Sequence, residues 1–419
     1  MVSAVGFEHF KSFASVTVRL PRVGVLIGAN ASGKTNFIEG MRLASFVARG
    51  TPLNTLFQTI LGSELLVRGR PPDFSERGFT LLTLEAGPLW WLVQLDLHPG
   101  GFAISGEGLG DTHQRTKLPL LEVKGPAQPG SFDLTVAYNN FVRGGTKPQI
   151  TCVNQQSILV QCMSPARFTS SEAQKTIPSA AQAMMAAAAK MLFLDAVPGQ
   201  MRGYVHRIDD ALLPTGRNVS ATLASLVAAG HGPQVLDFVR ALPEQEIADI
   251  EFITTPKDEV MVALVETFGG ARRSYDATQL SDGTLRILAI AAALLSVPEQ
   301  TLVVVEELDN GLHPSRAAGL LRTIYAVAER RNIQVLLTTH NPALLDAVPD
   351  EKLAEVMYCY RDRDSGDSRI TPLGELPRYD EVAAAGALGA LVASGRLESL
   401  LAPRNEADPV AFLASLRGA

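Results

Sequence analysis

Gly28-Ala-Asn-Ala-Ser-Gly33-Lys34-Thr35 decides the fold of this chain of 419 residues. The stretch has the spacing G-x-x-x-x-G-K-[ST], follows the apolar run VGVLI, and precedes a segment predicted to be a helix to about Val47. Glycines let successive backbone N–H groups face phosphate oxygens, and the positive end of the helix adds attraction. We therefore expect Lys34 to contact the β- and γ-phosphates of a nucleotide, and the Thr35 hydroxyl to bind Mg²⁺.

Two adjacent glutamates, Glu306 and Glu307, end the apolar run TLVVV near the other end of the chain. Carboxylates at the carboxyl end of a buried parallel strand lie at the ligand edge of an α/β sheet. One can hold the metal, directly or through water, and its neighbour can polarise an attacking water. Taken alone, the pair could also be a solvated strand end.

Two weaker signals lie on either side of these glutamates. Leu280-Ser281-Asp282-Gly283-Thr284 comes directly before the apolar helix LRILAIAAALL, where Ser281 suits the N-cap position. His340 ends the apolar strand IQVLLTT. Alone, the first is a capped helix start and the second is a structural histidine.

The order of elements predicts an α/β fold with a mixed, mostly parallel central sheet flanked by helices, an antiparallel β subdomain and a helical insert. We divide the chain into an N-terminal lobe (1–160), a helical insert (161–245) interrupted at Pro178, a C-terminal lobe (246–375) and a helical tail (376–419). The insert could contact a partner or DNA, or only complete the fold.

Composition excludes some classes of protein. No apolar run reaches about 18 residues, so we expect no membrane span. Three sparse cysteines and the absence of a signal peptide favour the cytoplasm. The net charge of −6 means that any DNA contact needs a local basic patch. Four arginines could form such a patch or only a solvated face: Arg42, Arg49, Arg68 and Arg70.

The order of these motifs resembles that of ABC-type ATPases, specifically the RecF/SMC/OLD-like branch of small bacterial AAA-family ATPases. The opening FKSF followed by IGANASGKTNFIEG is similar to the start of that branch, and the resemblance covers roughly 1–110 and 245–375. The middle, with FLDAVPGQMRGY and LLPTGRNVSATL, is similar more loosely.

The resemblance implies a role for each matching residue. Lys34, Glu307 and His340 would be catalytic, with Glu307 as the base that orients water and His340 as the switch near the γ-phosphate. Glu306 would support Mg²⁺ with Thr35, although most ABC proteins have Asp at the position of Glu306. The residues expected to contact ATP are Gly28, Asn30, Ser32, Gly33, Lys34, Thr35 and Asn36, with Ser281 and Gly283 acting on the opposite subunit.

Two further roles follow from the same resemblance. Asn310 to His313 would face the partner subunit. A glutamine is expected to reach the metal, and we choose Gln161 because it precedes the helical insert, with Gln155 and Gln156 left open.

In the resemblance, Leu280 to Thr284 match the signature motif, which acts on the opposite subunit. The signature therefore predicts a head-to-tail homodimer that encloses two ATP molecules. Hydrolysis would then open the dimer. The favoured function is an ATPase switch for a separately encoded effector, such as a nuclease or toxin in bacterial anti-phage defence. A RecF-like DNA-repair ATPase that binds DNA is the alternative, and an ABC transporter subunit is the third possibility.

Overall fold

The computed structural model describes residues 1–62, 67–114, 118–240, 246–308, 314–384 and 388–401. The strands are β1 Val2–Phe10, β2 Phe13–Arg19, β3 Val23–Ile27, β4 Phe79–Ala86, β5 Leu89–His98, β6 Gly101–Asp111, β7 Leu121–Val123, β8 Asp133–Tyr138, β9 Gln149–Val153, β10 Met191–Leu194, β11 Val205–His206, β12 Ile247–Thr254, β13 Glu259–Phe268, β14 Ala271–Asp276, β15 Leu302–Val305, β16 Gln334–Thr339, β17 Met357–Arg361 and β18 Ser368–Pro372.

The α-helices are α1 Lys34–Ala48, α2 Leu53–Gly62, α3 Ile158–Gln161, α4 Ser171–Ala189, α5 Val219–Ala228, α6 Gly232–Arg240, α7 Asp282–Ser296, α8 Pro314–Arg330, α9 Pro342–Leu345, α10 Tyr379–Ala384, α11 Leu388–Ala393 and α12 Arg396–Ser399. Within the described ranges, no helix combines the length and apolar character that crossing a membrane requires.

The central sheet has the strand order β10-β15-β16-β3-β17-β18. The first five of these strands run parallel, and β18 is antiparallel to β17. Because the carboxyl ends of parallel strands share one edge, the segments after β3, β15 and β16 meet there. The loop from Gly28, the two glutamates and His340 are thereby brought to the same edge.

Two hydrophobic cores lie on opposite faces of this sheet. Successive side chains of a strand point to opposite faces, so in β15 Val303 and Val305 join one core while Leu302 and Val304 join the other. The first core is formed largely with α7 and α8, and the second with α1 and the eight-stranded antiparallel sheet β2-β1-β4-β5-β6-β7-β8-β9. A third sheet has the order β11-β13-β12, with β14 also paired to β13.

The expected helical insert at 161–245 is not a separate helical unit. Its middle contains β10, which pairs in parallel with β15 and so forms part of the central sheet. The helix α4 also continues through Pro178 instead of breaking there. Proline removes one helical hydrogen bond, and the buried face formed by Ile177, Ala181 and Met184 packs into a core on both sides of it.

Candidate nucleotide-binding site

The loop between β3 and α1 has the backbone of a phosphate cradle. Gly28 and Gly33 have φ angles of 153° and 119°, which residues with a side chain rarely adopt. The Lys34 ammonium donates to the carbonyl oxygens of Gly28 at 2.6 Å and Ala29 at 2.9 Å. These contacts hold the lysine across its own loop, where an incoming phosphate would compete for it.

The hairpin of β17 and β18 supports this loop from below. An added Cβ on Gly28 would lie 2.2 Å from the Cys359 carbonyl oxygen, so the two backbones are in close contact. The Ser368 hydroxyl donates to the carbonyl of Ser32 at 2.6 Å, and the Asn36 amide donates to Ser12 Oγ at 2.8 Å. Ser32 and Asn36, predicted to bind the nucleotide, thus also belong to the support of the loop.

A cavity of about 320 Å³ opens above the loop. It is lined by Asn30, Ala31 and Gly33 to Asn36, by Glu307, and by Thr338 to His340, together with Arg68 and Arg361. The structure therefore brings Lys34, Thr35, Glu307 and His340 to one place. Arg68 and Arg361 were missed as lining residues because no motif contains them.

Glu307 is held at the rim of this cavity by a strained backbone. Its φ angle is 49°, and its N–H donates to Thr338 Oγ1 at 2.9 Å. Leu308 N–H donates to the Thr338 carbonyl at 3.0 Å. A non-glycine residue in the left-handed region is uncommon and costs free energy unless its surroundings enforce it. Here the end of β16 enforces it, and the exposed Glu307 lies in the lining of the cavity.

Glu306 lies in a different environment from its neighbour. It forms an ion pair with Arg42 of α1, and the two side chains are only 14% and 8% exposed. Burial raises the pKa of Glu306 to about 7, against the opposing effect of Arg42, and the carboxylate of Asp195 adds to the rise. Glu306 does not line the nucleotide cavity, so a contact with Mg²⁺ would require the ion pair with Arg42 to loosen.

The signature segment is a capped and clamped helix start. The Ser281 hydroxyl accepts a hydrogen bond from Thr284 N–H at 3.1 Å, as an N-cap does. Arg202 donates to the carbonyl oxygens of Ala277, Thr278 and Leu280 and to the carboxylate of Asp282. Gly283 is buried in the first turn of α7. The signature does not contribute to the lining of the cavity in its own chain.

Gln161 is not at this site, so its choice as a metal ligand is wrong for this structure. Its side-chain amide exchanges hydrogen bonds with the backbone of Val153 and donates to the carbonyl of Gln156. The amide therefore covers the edge of β9. Gln156 donates to the carbonyl of Gly50, beyond the far end of α1, so this segment lies a helix length from Lys34.

Two other predictions concern the segment Asn310 to His313 and the four arginines of a possible basic patch. Asn310 to His313 lie outside the described residues. The four arginines do not form a common exposed patch. Arg42 is buried against Glu306, Arg49 packs on Phe46 and Arg68 pairs with Glu39, while Arg70 is exposed. The alternative of direct DNA binding thus gains no support from them.

The residues present fit a nucleotide phosphate with Mg²⁺. Gly33 caps α1 without a side-chain hydrogen bond, and no acidic residue lies in the first helical turn. The first N–H groups of an α-helix have no acceptor within the helix, so this end of α1 suits an anion. Among the described residues, no group of three or more His, Cys, Asp and Glu could hold a metal by itself. Mg²⁺ that is bound with substrate phosphates needs only one or two protein ligands, as Thr35 offers here.

Comparison with known proteins agrees with this geometry. Residues 187–346 match the family model described as an AAA domain, putative AbiEii toxin, Type IV TA system. The solved structure of the SmcHead bound to the C-winged helix domain of ScpA matches with 11% identity and a TM-score of 0.51, over 88% of this chain and 97% of that chain. No curated protein matches the sequence.

Two further SMC heads match more distantly. The SMC head domain from Thermotoga maritima has 14% identity and a TM-score of 0.40, over 88% of this chain and 98% of that one. The Smc head domain with an extended coiled coil, bound to the C-terminal domain of ScpA from Pyrococcus furiosus, has 10% identity and a TM-score of 0.44, over 88% and 95%. The SmcHead match shows the fold of an SMC ATPase head, and with the family match it confirms the resemblance to an ABC/SMC-like AAA ATPase.

Proposed function

We propose that this protein binds ATP and hydrolyses it in a composite site formed by two copies of the chain. The observation that carries the proposal is that Lys34, Thr35, Glu307 and His340 line one cavity, whereas Ser281 and Gly283 lie outside it. A second chain placed head-to-tail would bring its signature to the open side of the cavity. Two such sites would form across one twofold axis.

Each residue of the cavity has a distinct task in this mechanism. Lys34 leaves its own loop carbonyls and pairs with the β- and γ-phosphates, while the N–H groups at the start of α1 hold their oxygens. Mg²⁺ bound with ATP and held by Thr35 would neutralise the charge that develops on the phosphates. Glu307 orients the attacking water and accepts its proton, and His340 contacts the γ-phosphate.

The signature completes the site from the other chain. Free N–H groups at the start of α7, beside Ser281, would bind the γ-phosphate held by the partner. Loss of the γ-phosphate on hydrolysis would remove this contact and open the dimer.

We further propose that this opening and closing acts on a separate effector protein. The description of the matching family names a putative AbiEii toxin of a Type IV TA system, which favours a role in toxin–antitoxin or anti-phage defence. The SmcHead that shares the fold binds a domain of another protein, ScpA. An analogous docking surface on this chain would transmit the nucleotide state to the effector.

The decisive experiment measures size in solution and ATP hydrolysis for the wild type and for Glu307→Gln, each with ATP and Mg²⁺. Removal of a general base should lower turnover about 10²- to 10⁴-fold. ATP binding should persist, so the variant should accumulate as an ATP-bound dimer. Glu299→Gln is the matched control, since this exposed glutamate precedes the same strand at its opposite end.

The proposal fails if Glu307→Gln hydrolyses ATP like the wild type, or if ATP leaves the size of both proteins unchanged. The first result would show that Glu307 is not the general base. The second would show that ATP does not bring two chains together.

A further inference from the structure

A second cavity, of about 510 Å³, lies beside the C-terminal half of α1. It shares no lining residue with the nucleotide cavity. One wall comes from α1, and another comes from β10 and the residue that follows it, Asp195. Because Leu194 pairs with Val305, Asp195 and Glu306 follow neighbouring positions on adjacent parallel strands. The cavity therefore adjoins the edge of the sheet at which Glu306 and Glu307 follow β15.

Positive charge dominates the lining of this cavity. Arg42, Arg49 and Arg217 contribute three guanidinium groups, and Asp195 contributes one carboxylate. Arg49 Nε is buried and has no hydrogen-bond partner among the described residues, although its guanidinium lies 4.1 Å from the centre of the Phe46 ring. Burial lowers the pKa of Arg49. A buried donor without an acceptor costs free energy, and an anion in the cavity would supply the acceptor.

The remaining walls are apolar. Phe193, Leu213 and Pro214 line the cavity between the arginines. The volume lies within the range of about 300 to 1,000 Å³ that small-molecule sites usually have. Apolar walls with a few charged groups suit a ligand that has an apolar body and one anionic group.

We propose that this cavity binds a small organic anion, a phosphate or carboxylate carried on an apolar or aromatic body, and that Arg42 transmits its occupancy to Glu306. Arg42 lines the cavity and also forms the ion pair with Glu306. An anion that attracts Arg42 weakens this ion pair. The Glu306 carboxylate is then free to support Mg²⁺ at the edge of the sheet. The binding site is independent of the proposed ATPase cycle, whereas its effect on Glu306 rests on that cycle.

Binding is tested by calorimetry with phenyl phosphate, which combines a phosphate with an aromatic ring. A non-hydrolysable ATP analogue and Mg²⁺ are present at saturation, so that the phosphate loop is occupied. Phenyl phosphate should bind once per chain, and phenol and inorganic phosphate should each bind at least about tenfold more weakly, because each lacks one half of the ligand.

Variants then locate the binding. Arg49→Gln and the more exposed Arg217→Gln should each weaken phenyl phosphate binding about tenfold or more, since each loses a charged hydrogen bond. Arg143→Gln makes the same charge change at an exposed position outside the cavity, and should bind like the wild type. Absence of saturable binding, or equal binding by all four proteins, would overturn the site.

The effect on Glu306 is tested by the Mg²⁺ dependence of ATP hydrolysis at pH 8. Phenyl phosphate should lower the Mg²⁺ concentration for half-maximal rate in the wild type and leave it unchanged in Arg49→Gln. If phenyl phosphate binds but the Mg²⁺ dependence does not move, transmission through Arg42 is refuted while the site stands. If the wild type hydrolyses no ATP, the proposed function fails, and calorimetry still decides the binding site.

Discussion

Gly33 shows how a single residue constrains the phosphate loop. Its φ angle is 119°, and an added Cβ would lie 2.3 Å from the hydroxyl oxygen of the buried Ser368. Gly33→Ala should therefore lower the free energy of unfolding by about 1 to 3 kcal/mol and abolish nucleotide binding. Urea unfolding and calorimetry with ATP measure the two effects. Gly100→Ala, with no atom within 4 Å of its added Cβ, should keep both properties.

Glu107 should give the stability of the fold a measurable pH dependence. Its carboxylate accepts hydrogen bonds from Trp91, Ser157 and Ile158, yet burial raises its pKa from 4.5 to about 7. A carboxyl group with a raised pKa binds more protons in the folded state, so the free energy of unfolding falls as pH rises through this window.

The fall due to this carboxyl group is on the order of 3 kcal/mol between pH 4.5 and 7. Urea unfolding measured across this pH range should show that the free energy of unfolding depends less steeply on pH for Glu107→Gln than for the wild type. The slope is the diagnostic quantity, because the amide also changes the hydrogen bonds at every pH. Glu76→Gln, at an exposed position, should keep the wild-type slope. Identical slopes in all three proteins would show that Glu107 titrates normally.

The positions of the loop, Glu307 and His340 could be predicted from sequence because strand ends and glycine spacing determine them locally. The neighbour of Glu307 shows the limit of this reasoning. Glu306 pairs with Arg42, which is 264 positions away in the chain, and no local pattern indicates that contact. The same limit applies to Ser32 and Asn36, whose supporting contacts come from Ser12 and Ser368.

At the scale of elements, the predictions that differ from the structure concern features that tertiary packing decides. The run MLFL of β10 is only four residues long and directly follows a long helix, so nothing in its sequence distinguishes it from the end of that helix. Its pairing with β15 makes it a strand of the central sheet. Sequence periodicity also does not show which side chains reach the nucleotide site. Gln161 covers the edge of β9 instead.

The signature helix α7 depends on Arg202 for the position of its first turn. One guanidinium holds three backbone carbonyls and the carboxylate of Asp282. Arg202→Met, in the Glu307→Gln background, should weaken ATP-dependent dimerisation by at least about tenfold, because charged hydrogen bonds are lost where the signature must be rigid. Binding of ATP to the separate chains should stay unchanged.

Sedimentation across a range of protein concentrations, with ATP and Mg²⁺, measures this effect. Arg207→Met is the matched control, since that arginine pairs with Asp258 at the surface. If both arginine variants dimerise as well as the parent protein, Arg202 has no role in positioning the signature.

At the scale of the whole molecule, the central sheet separates the two halves of the proposed composite site. The phosphate loop leads into α1, which packs in one core, whereas α7 packs in the other core on the opposite face. Because the sheet lies between them, we expect that one chain cannot place its own signature over its own loop. Activity is therefore expected to belong to the dimer.

Mixed dimers test this expectation most directly. Lys34→Ala disables the phosphate loop of a chain, and Ser281→Arg disables its signature, so each variant alone should be inactive. In an equal mixture, half of the dimers contain one chain of each kind, and one of their two sites has an intact loop facing an intact signature. The mixture should recover about one quarter of wild-type ATP hydrolysis if the sites act independently. Mixing either single variant with the Lys34→Ala, Ser281→Arg double variant should restore no activity, because no site in those dimers has an intact loop facing an intact signature. An inactive mixture of the two single variants, in which both proteins are folded and bind one another, would show that the loop and the signature do not meet across the interface.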